Sequence, residues 1–505
     1  MDLLGTGTSC IVWSSDLPHN SYAPMRYIDL MDSRKPYVLI SYKNNFGKET
    51  SFEYKSSTWF YLKDKLEGTP WITRLPFPVQ VITKVTVTDK WRQTTFRTCY
   101  SYHHGYYDYP EREFRGFGRV EQVDVEDYDL FIAGNTSSPY ITNDNTLYQP
   151  PITTVTWFHT GAFISREKIL NQFSDEYFAP TSERFEEKIL HEPDLAEQNL
   201  STVEWMEALR ACKGMTLRQE VYELDVDALQ RNRQVAVKLC NTAYHSCAIQ
   251  LLQPKGEYEH AVFLATESEA ITYHYELDLT APLLNPDPRI IHTLNLATDE
   301  LGNVLDAVSV AYPRIQTFTD SSLPADTNSL IDSVQKVTHL SYTHNRFTED
   351  AIDSVHYRLR LPCEASTYEL TGVDTPGDGL YVTLEQLRNE NIPTNAIPIS
   401  YHELPTTGAM QKRLVEHVRM LYFHDDLTNP LPFGELNALG LLYETYKLAL
   451  TEELLMAVFE DKLTDNIRAT LDNNYVSGYL LGEELNNRFE EEATAGEYIE
   501  RQALS

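Results

Sequence analysis

Between Tyr100 and Gln122, seven tyrosines and phenylalanines, three glycines and alternating charges share 23 positions. Aromatics at alternate positions favour a pleated strand, and glycines close behind them mark tight turns. The segment fits a layer of short, repeatedly reversing strands. It does not read as a catalytic loop, because no nucleophile stands beside a base within it.

The rest of the chain is compatible with such a layer. At 505 residues it predicts two to four domains, and a hydrophobic content of 42% is enough for sizeable cores. Thirty-two tyrosines suit half-exposed β surface, where the ring pairs across strands and the hydroxyl stays wet. A formal charge of −32 argues against nucleic acid as a partner. Six scattered cysteines (Cys10, Cys99, Cys212, Cys240, Cys247 and Cys363) form no Cys-x-x-Cys pair, so folding in a reducing cytoplasm is the default. The first residues show no signal-peptide pattern, and no apolar run is long enough to span a bilayer.

Strand patterns recur along the chain. They include Tyr37–Tyr42, Phe52–Tyr61, the valines at 79, 81, 85 and 87, and alternations beginning at Ile271, Ile290 and Val304. Residues 126–152 read as a polar loop. Helical inserts are expected near 165–215, 410–424 and 451–463. A capping box at Ser201/Glu204, a stop at Gly214 and an N-cap at Thr451 support them. In the 410–424 segment, Met410, Leu414, Val415, Val418, Leu421 and Tyr422 follow helical spacing. The acidic tail from 484 to 505 is expected to fray. Asn44–Gly47 and Asp299–Gly302 each begin a polar-x-x-Gly, strand, Tyr pattern that resembles the YD (Rhs) hairpin repeat.

Tyr106-Tyr-Asp108 followed by Arg112-Glu-Phe-Arg-Gly-Phe-Gly118 resembles a segment of the B subunits of insecticidal toxin complexes (the TcdB/TcaC family). Pro70-Trp-Ile-Thr-Arg-Leu-Pro-Phe-Pro-Val79, Trp157-Phe-His-Thr-Gly-Ala162, Leu217-Arg-Gln-Glu-Val-Tyr222 and Thr367-Tyr-Glu-Leu-Thr-Gly372 extend the resemblance in the same order. It reaches about residue 465. The structural signature comprises Tyr102, Gly105, Tyr107, Asp108, Arg112, Glu113, Phe114, Arg115, Gly116, Phe117 and Gly118.

The resemblance implies a mainly β fold, an irregular YD/Rhs-type sheet shell with a few helical inserts. Its expected divisions are 1–24 (the end of a β-propeller-like region), 25–150, 151–330 and 331–505. It further implies a non-enzymatic shell segment that, with a TcC-like (Rhs) subunit, encloses that subunit's toxic C-terminal cargo. A TcA-like pentameric pore subunit would be met through a propeller outside this sequence. The component would be made in the bacterial cytoplasm without a signal peptide and act outside the cell. No cofactor, metal or direct membrane insertion is implied.

Other chemistry is weaker. His103 and His104 beside Asp108 suggest a metal site only weakly, because neighbours on a strand point to opposite faces. Arg115-Gly-Phe-Gly-Arg119 lacks the pattern of a phosphate loop and reads as a tight turn, with Arg112, Glu113 and Arg115 in cross-strand ion pairs. Glu267-Ser-Glu269 is the pair to test for ADP-ribosyl transfer, although the accompanying elements of such an enzyme are not evident. A YD-repeat adhesion module is a further alternative.

Overall fold

The computed structural model describes residues 1–15, 19, 22, 25–91, 94–126, 151–179, 185–190, 193–195, 200–225, 235–373, 380–481 and 497–503. The polar loop expected over 126–152 falls largely outside them. The chain divides into two compact units, Met1–Arg289 and Ile290–Ser505. Each is built on an antiparallel sheet, as the mainly β expectation requires.

Unit 1 opens with a two-stranded hairpin, β1 (Cys10–Ser14) and β2 (Met25–Asp29). The Asp2 carboxylate accepts the backbone N–H groups of Thr6 and Gly7 and closes the preceding loop. The main sheet follows as a meander of β3 (Ser41–Lys43), β4 (Lys48–Ser56), β5 (Gln80–Asp89), β6 (Thr94–Asp108), β7 (Glu113–Glu126) and β8 (Ile152–Phe158). A short strand, β9 (Asp194–Leu195), pairs in parallel with Ala248 and Ile249. The meander continues from β8 through β10 (Thr216–Leu224), β11 (Ala236–Gln253) and β12 (Val262–Asp278). Ile271, Tyr273, Tyr275 and Leu277 on β12 are all buried, as their alternation predicts. Among the described residues, helices α1 (Ser57–Glu67), α2 (Arg166–Glu176) and α3 (Thr202–Ala211) pack on this unit. The box at Ser201/Glu204 caps α3 as expected, and Gly214 adopts a φ of 83° just beyond its end.

Two readings in this unit need correction. Tyr37–Tyr42 contributes only the beginning of β3. Phe52–Tyr61 is strand only as far as Ser56, after which the chain turns into α1. Trp59, Phe60 and Tyr61 carry β propensity, but Phe60 and Asp64 lie one turn apart and are both buried, and that packing decides.

In unit 2 the sheet runs through β13 (Arg289–Thr298), β14 (Val304–Ala311), β15 (His339–Phe347), a side hairpin of β16 (Ala351–Ile352) with β17 (Tyr357–Arg358), and β18 (Pro362–Thr371). Beyond the parallel strand β19 (Ile397–Ile399) come β20 (Gln411–Tyr422), β21 (Leu442–Thr451), β22 (Tyr479–Leu481) and β23 (Glu497–Ala503). Both polar-x-x-Gly segments close hairpins. Asn44 accepts the N–H groups of Phe46 and Lys48, and Asp299 those of Leu301 and Asn303. The helix after Thr451 forms over Glu452–Phe459 with the Thr451 hydroxyl as its cap. The tail is ordered where β23 pairs with β21, so the expected fraying does not hold over 497–503.

The expected helix at 410–424 is strand β20. Its apolar residues do suggest a helical stripe, but Val415 is 55% exposed while Leu421 and Tyr422 are buried. The charged residues between them settle the conformation by pairing across strands. Arg413 meets Glu369, Glu416 meets Lys447, and both His417 and Arg419 meet Glu364. Burial pushes the Glu364 carboxyl up, but its bonds from His417 and Arg419, each at 2.7 Å, outweigh this and hold it at about 2. A depressed carboxyl stabilises the fold above its unfolded value near 4.5, and that contribution fades as pH falls through about 2. Denaturant midpoints at pH 6 and pH 3 are therefore expected to fall further for the native chain than for Glu364→Gln. The difference should be on the order of 1–2 kcal/mol.

Candidate functional site

The signature segment is the β6–β7 hairpin, and its residues fall into an aromatic layer and a charged tip. In the layer, the Phe117 ring lies 5.0 Å from Tyr102, 5.6 Å from Phe114 and 6.3 Å from Trp71. Tyr102 also meets Phe60 of α1 edge-on, and its hydroxyl donates to the Ile82 carbonyl. Burial pushes the Tyr102 phenol up to about 12. Tyr107 packs edge-on against Phe77. Gly105 lets Trp71 and Phe117 approach, since a Cβ there would lie 3.1 Å and 3.2 Å from their rings. Gly118 is more restricted, because a Cβ would overlap Cζ of the fully buried Phe173 on α2. Gly118→Ala is expected to cost about 1–3 kcal/mol, read as a lower denaturant midpoint.

At the tip, Arg115 is 5% exposed. Its guanidinium pairs with Asp108 at 2.7 Å and donates to the Gly161 carbonyl at 2.5 Å. Gly161 itself sits tightly on α3, where a Cβ would come within 3.0 Å of the Leu209 carbonyl. Glu111 and Glu113 complete the clamp through Arg210 and Lys213. The expected cross-strand pairing of Arg115 thus exists, but the larger part of the network fastens the tip to the end of α3. Arg112 occupies the turn with a φ of 54°, and Gly116 follows with 90°. A cleft of about 400 Å³ runs beside the tip, lined by Tyr106, Tyr107, Asp108, Ile164, Lys168 and Met206. The Asp108 carboxylate in it is already committed to Arg115.

His103 and His104 are both buried, at 8% and 2% exposure. A φ of 56° at His104 and a register shift just after Gly105 break the pleat on which the opposite-face expectation rested. Each imidazole takes a separate carboxylate: His103 meets Asp64 of α1 at 2.6 Å, and His104 meets Glu176 of α2 at 2.8 Å. Burial raises both carboxyls, yet the histidines hold each below its ordinary value. No group of three ligands suited to a metal occurs among the described residues. Glu267 pairs with His245 at 2.8 Å, and Glu269 pairs with Lys188 at 2.5 Å while only 7% exposed.

Sequence reasoning missed a buried charge centre on β10. Arg218 is fully buried and meets Glu220 at 2.5 Å and Glu187 at 2.8 Å, and it donates to the Phe178 carbonyl at 3.0 Å. Its guanidinium also lies over the rings of Tyr244 and Tyr177, 4.2 Å and 4.9 Å from their centroids. Tyr275 and Thr242 donate to Glu187, and Tyr222 donates to Glu220. Burial opposes charge on Arg218, but the two glutamates raise its affinity for the proton. The alternation Arg218, Glu220, Tyr222 was the available signal, and it imitates a solvent-facing strand.

Residues 1–140 match the insecticide toxin TcdB middle/N-terminal region, and residues 207–361 match the TcdB middle/C-terminal region. No curated protein matches the chain. Among solved structures, TcdB2-TccC3 is similar with a TM-score of 0.68 at 22% identity, and TcdB2-TccC3-Cdc42 with 0.69 at 23%. The Tc holotoxin pore of Photorhabdus luminescens gives 0.66 at 22%. Each likeness covers 97% of this chain and 22% of the other, so the chain spans about a fifth of those chains' length.

Proposed function

The chain belongs to the TcdB-type insecticidal toxin components, and on that premise we propose that it is a non-enzymatic wall segment of a toxin shell. With a TcC-type subunit it encloses and delivers a protein cargo, and a TcA-type pore subunit receives the assembly. The observation that carries this reading is the extent of the likeness. Nearly the whole chain, 97% of it, follows the TcdB2-TccC3 fold, leaving little of it for a separate catalytic domain. The local chemistry is consistent with it. The conspicuous charged residues of unit 1 (Arg115, Arg218 and Glu269) are buried in ion pairs within the sheet or between its strands and the segment at 185–190. Strand-edge groups exposed at the ends of such a sheet favour continuation by further sheet, which a shell partner supplies. The hairpins at Asn44 and Asp299 are read as YD/Rhs-type units of that wall.

Co-expression with a TcC-type protein tests the proposal. Joint elution in size exclusion, with the partner's C-terminal region protected from protease, is the expected result. Separate elution, or NAD turnover that is lost on Glu269→Gln, would remove it.

A further inference from the structure

The end of α3 holds a second arrangement that the shell reading does not use. Cys212 caps the helix and Cys247 lies on β11. Their sulfurs are 3.3 Å apart, with the side chains 0% and 2% exposed. Ala208, Ile249, Met215 and Phe263 enclose them in apolar surface. His159, half-buried, helps hold the Cys247 thiol low, and its backbone is tied to the same helix end through Gly214 and Met215. We propose that Cys212 and Cys247 are an oxidation site that closes to a disulfide, with His159 as the proton acceptor that arms Cys247.

The chemistry balances with hydrogen peroxide as oxidant. His159 takes the Cys247 proton, and the thiolate attacks one peroxide oxygen. An S–O bond forms and the O–O bond breaks; the leaving hydroxide takes the proton back and departs as water. The Cys212 sulfur then attacks the Cys247 sulfenic acid. The S–S bond forms, the S–O bond breaks, and the Cys212 proton leaves with the second water. Two thiols are oxidised by two electrons and one peroxide is reduced.

The contrast among the cysteines supports the selectivity. The hydrogen bond from Cys212 holds the Cys247 thiol below its ordinary range against the effect of burial, and His159 adds to this. Burial pushes Cys99 and Cys240 up. The thiolate is the reacting form, so the pair should react before the more exposed cysteines. Closure would lock to β11 the helix end that clamps the signature hairpin through Arg210 and, just beyond it, Lys213.

The test treats the folded chain briefly with hydrogen peroxide, then alkylates remaining thiols in denaturant and maps the peptides. The expected product is a Cys212–Cys247 cross-link, two hydrogens lighter and reversed by dithiothreitol. Cys212→Ser should leave a dimedone-reactive sulfenic acid on Cys247, and His159→Gln should slow cross-linking about tenfold or more. Mapping of the native chain is decisive even if a variant fails to fold. Full alkylation of both thiols, or oxidation of Cys99 and Cys240 ahead of them, overturns the proposal.

Discussion

Arg218→Met is expected to lower the apparent Tm of the chain by about 10 °C, because it removes the cation that both Glu187 and Glu220 pair with among the described residues. Glu187 and Glu220 are 7% and 2% exposed, and each spends an oxygen on Arg218. Removing one partner from a buried ionic group costs about 3–5 kcal/mol, since the remaining charges are stranded in a medium that solvates them poorly. Methionine restores much of the volume, so the loss is electrostatic rather than a cavity effect. Arg218→Lys should recover little, because one ammonium cannot serve both carboxylates, the Phe178 carbonyl and two tyrosine faces together. The triple variant Arg218→Met, Glu187→Gln, Glu220→Gln should be more stable than Arg218→Met alone, since no charge is left unpaired. Denaturant melts of the four proteins decide the matter. A triple variant no better than the single one would mean that Arg218 acts through packing.

That centre also explains which features were legible in advance. The hairpin turns at Asn44 and Asp299, the capped start of α3 and the buried alternation on β12 are set by residues within a few positions of one another, so the sequence pattern carries them. The charge centre depends on Glu187 and Tyr275, which lie 31 and 57 residues from Arg218. No local pattern reports such a meeting. The same limit hid Cys212 and Cys247, separated by 35 positions. β20 failed in the opposite way. Its apolar spacing was a local signal that favoured helix, and the cross-strand partners of Arg413, Glu416, His417 and Arg419 overrode it.

The candidate site shows both regimes within one hairpin. Asp108 stands opposite Glu113 on the β6–β7 ladder with Arg115 two residues beyond it, and cross-strand pairing was readable from the alternating charges. The attachment of that tip to α3 was not, because Gly161 and Arg210 come from segments whose proximity only the fold creates. For a wall segment these distant links matter most. A hairpin held only by its own ladder can slip by one residue and reverse its faces, whereas one pinned by a buried guanidinium and two surface ion pairs has a fixed register. The glycines of Arg-Gly-Phe-Gly serve the same end. Gly116 supplies the positive φ, and Gly118 admits the Phe173 ring.

In unit 2, Gly372→Ala should be the most damaging of the small substitutions. Gly372 leaves the end of β18 with a φ of 72°, a region that costs an alanine about 1–2 kcal/mol. A Cβ would also overlap the carbonyl carbon and oxygen of Ala409 and lie 2.7 Å from the Met410 nitrogen. These are backbone atoms, so no side-chain rotation relieves the contact. The neighbouring chain is fixed by the pairing of Thr371 with Gln411 and by the bond from the Ile397 N–H to the Met410 carbonyl. Relief therefore requires the β18–β20 ladder to open from this end. With strain and overlap together, a loss of roughly 3–5 kcal/mol is expected, or about 6–15 °C in apparent Tm. Hydrogen exchange locates the damage: amides at 368–371 and 411–414 should lose protection while those of β13 and β14 keep theirs. Gly408→Ala is the matched control, since its φ of 77° is similar but a Cβ there meets nothing within 4 Å. It should show the conformational cost alone, about 1–2 kcal/mol. Equal losses for the two variants would show that the overlap with Ala409 is absorbed and that only φ matters.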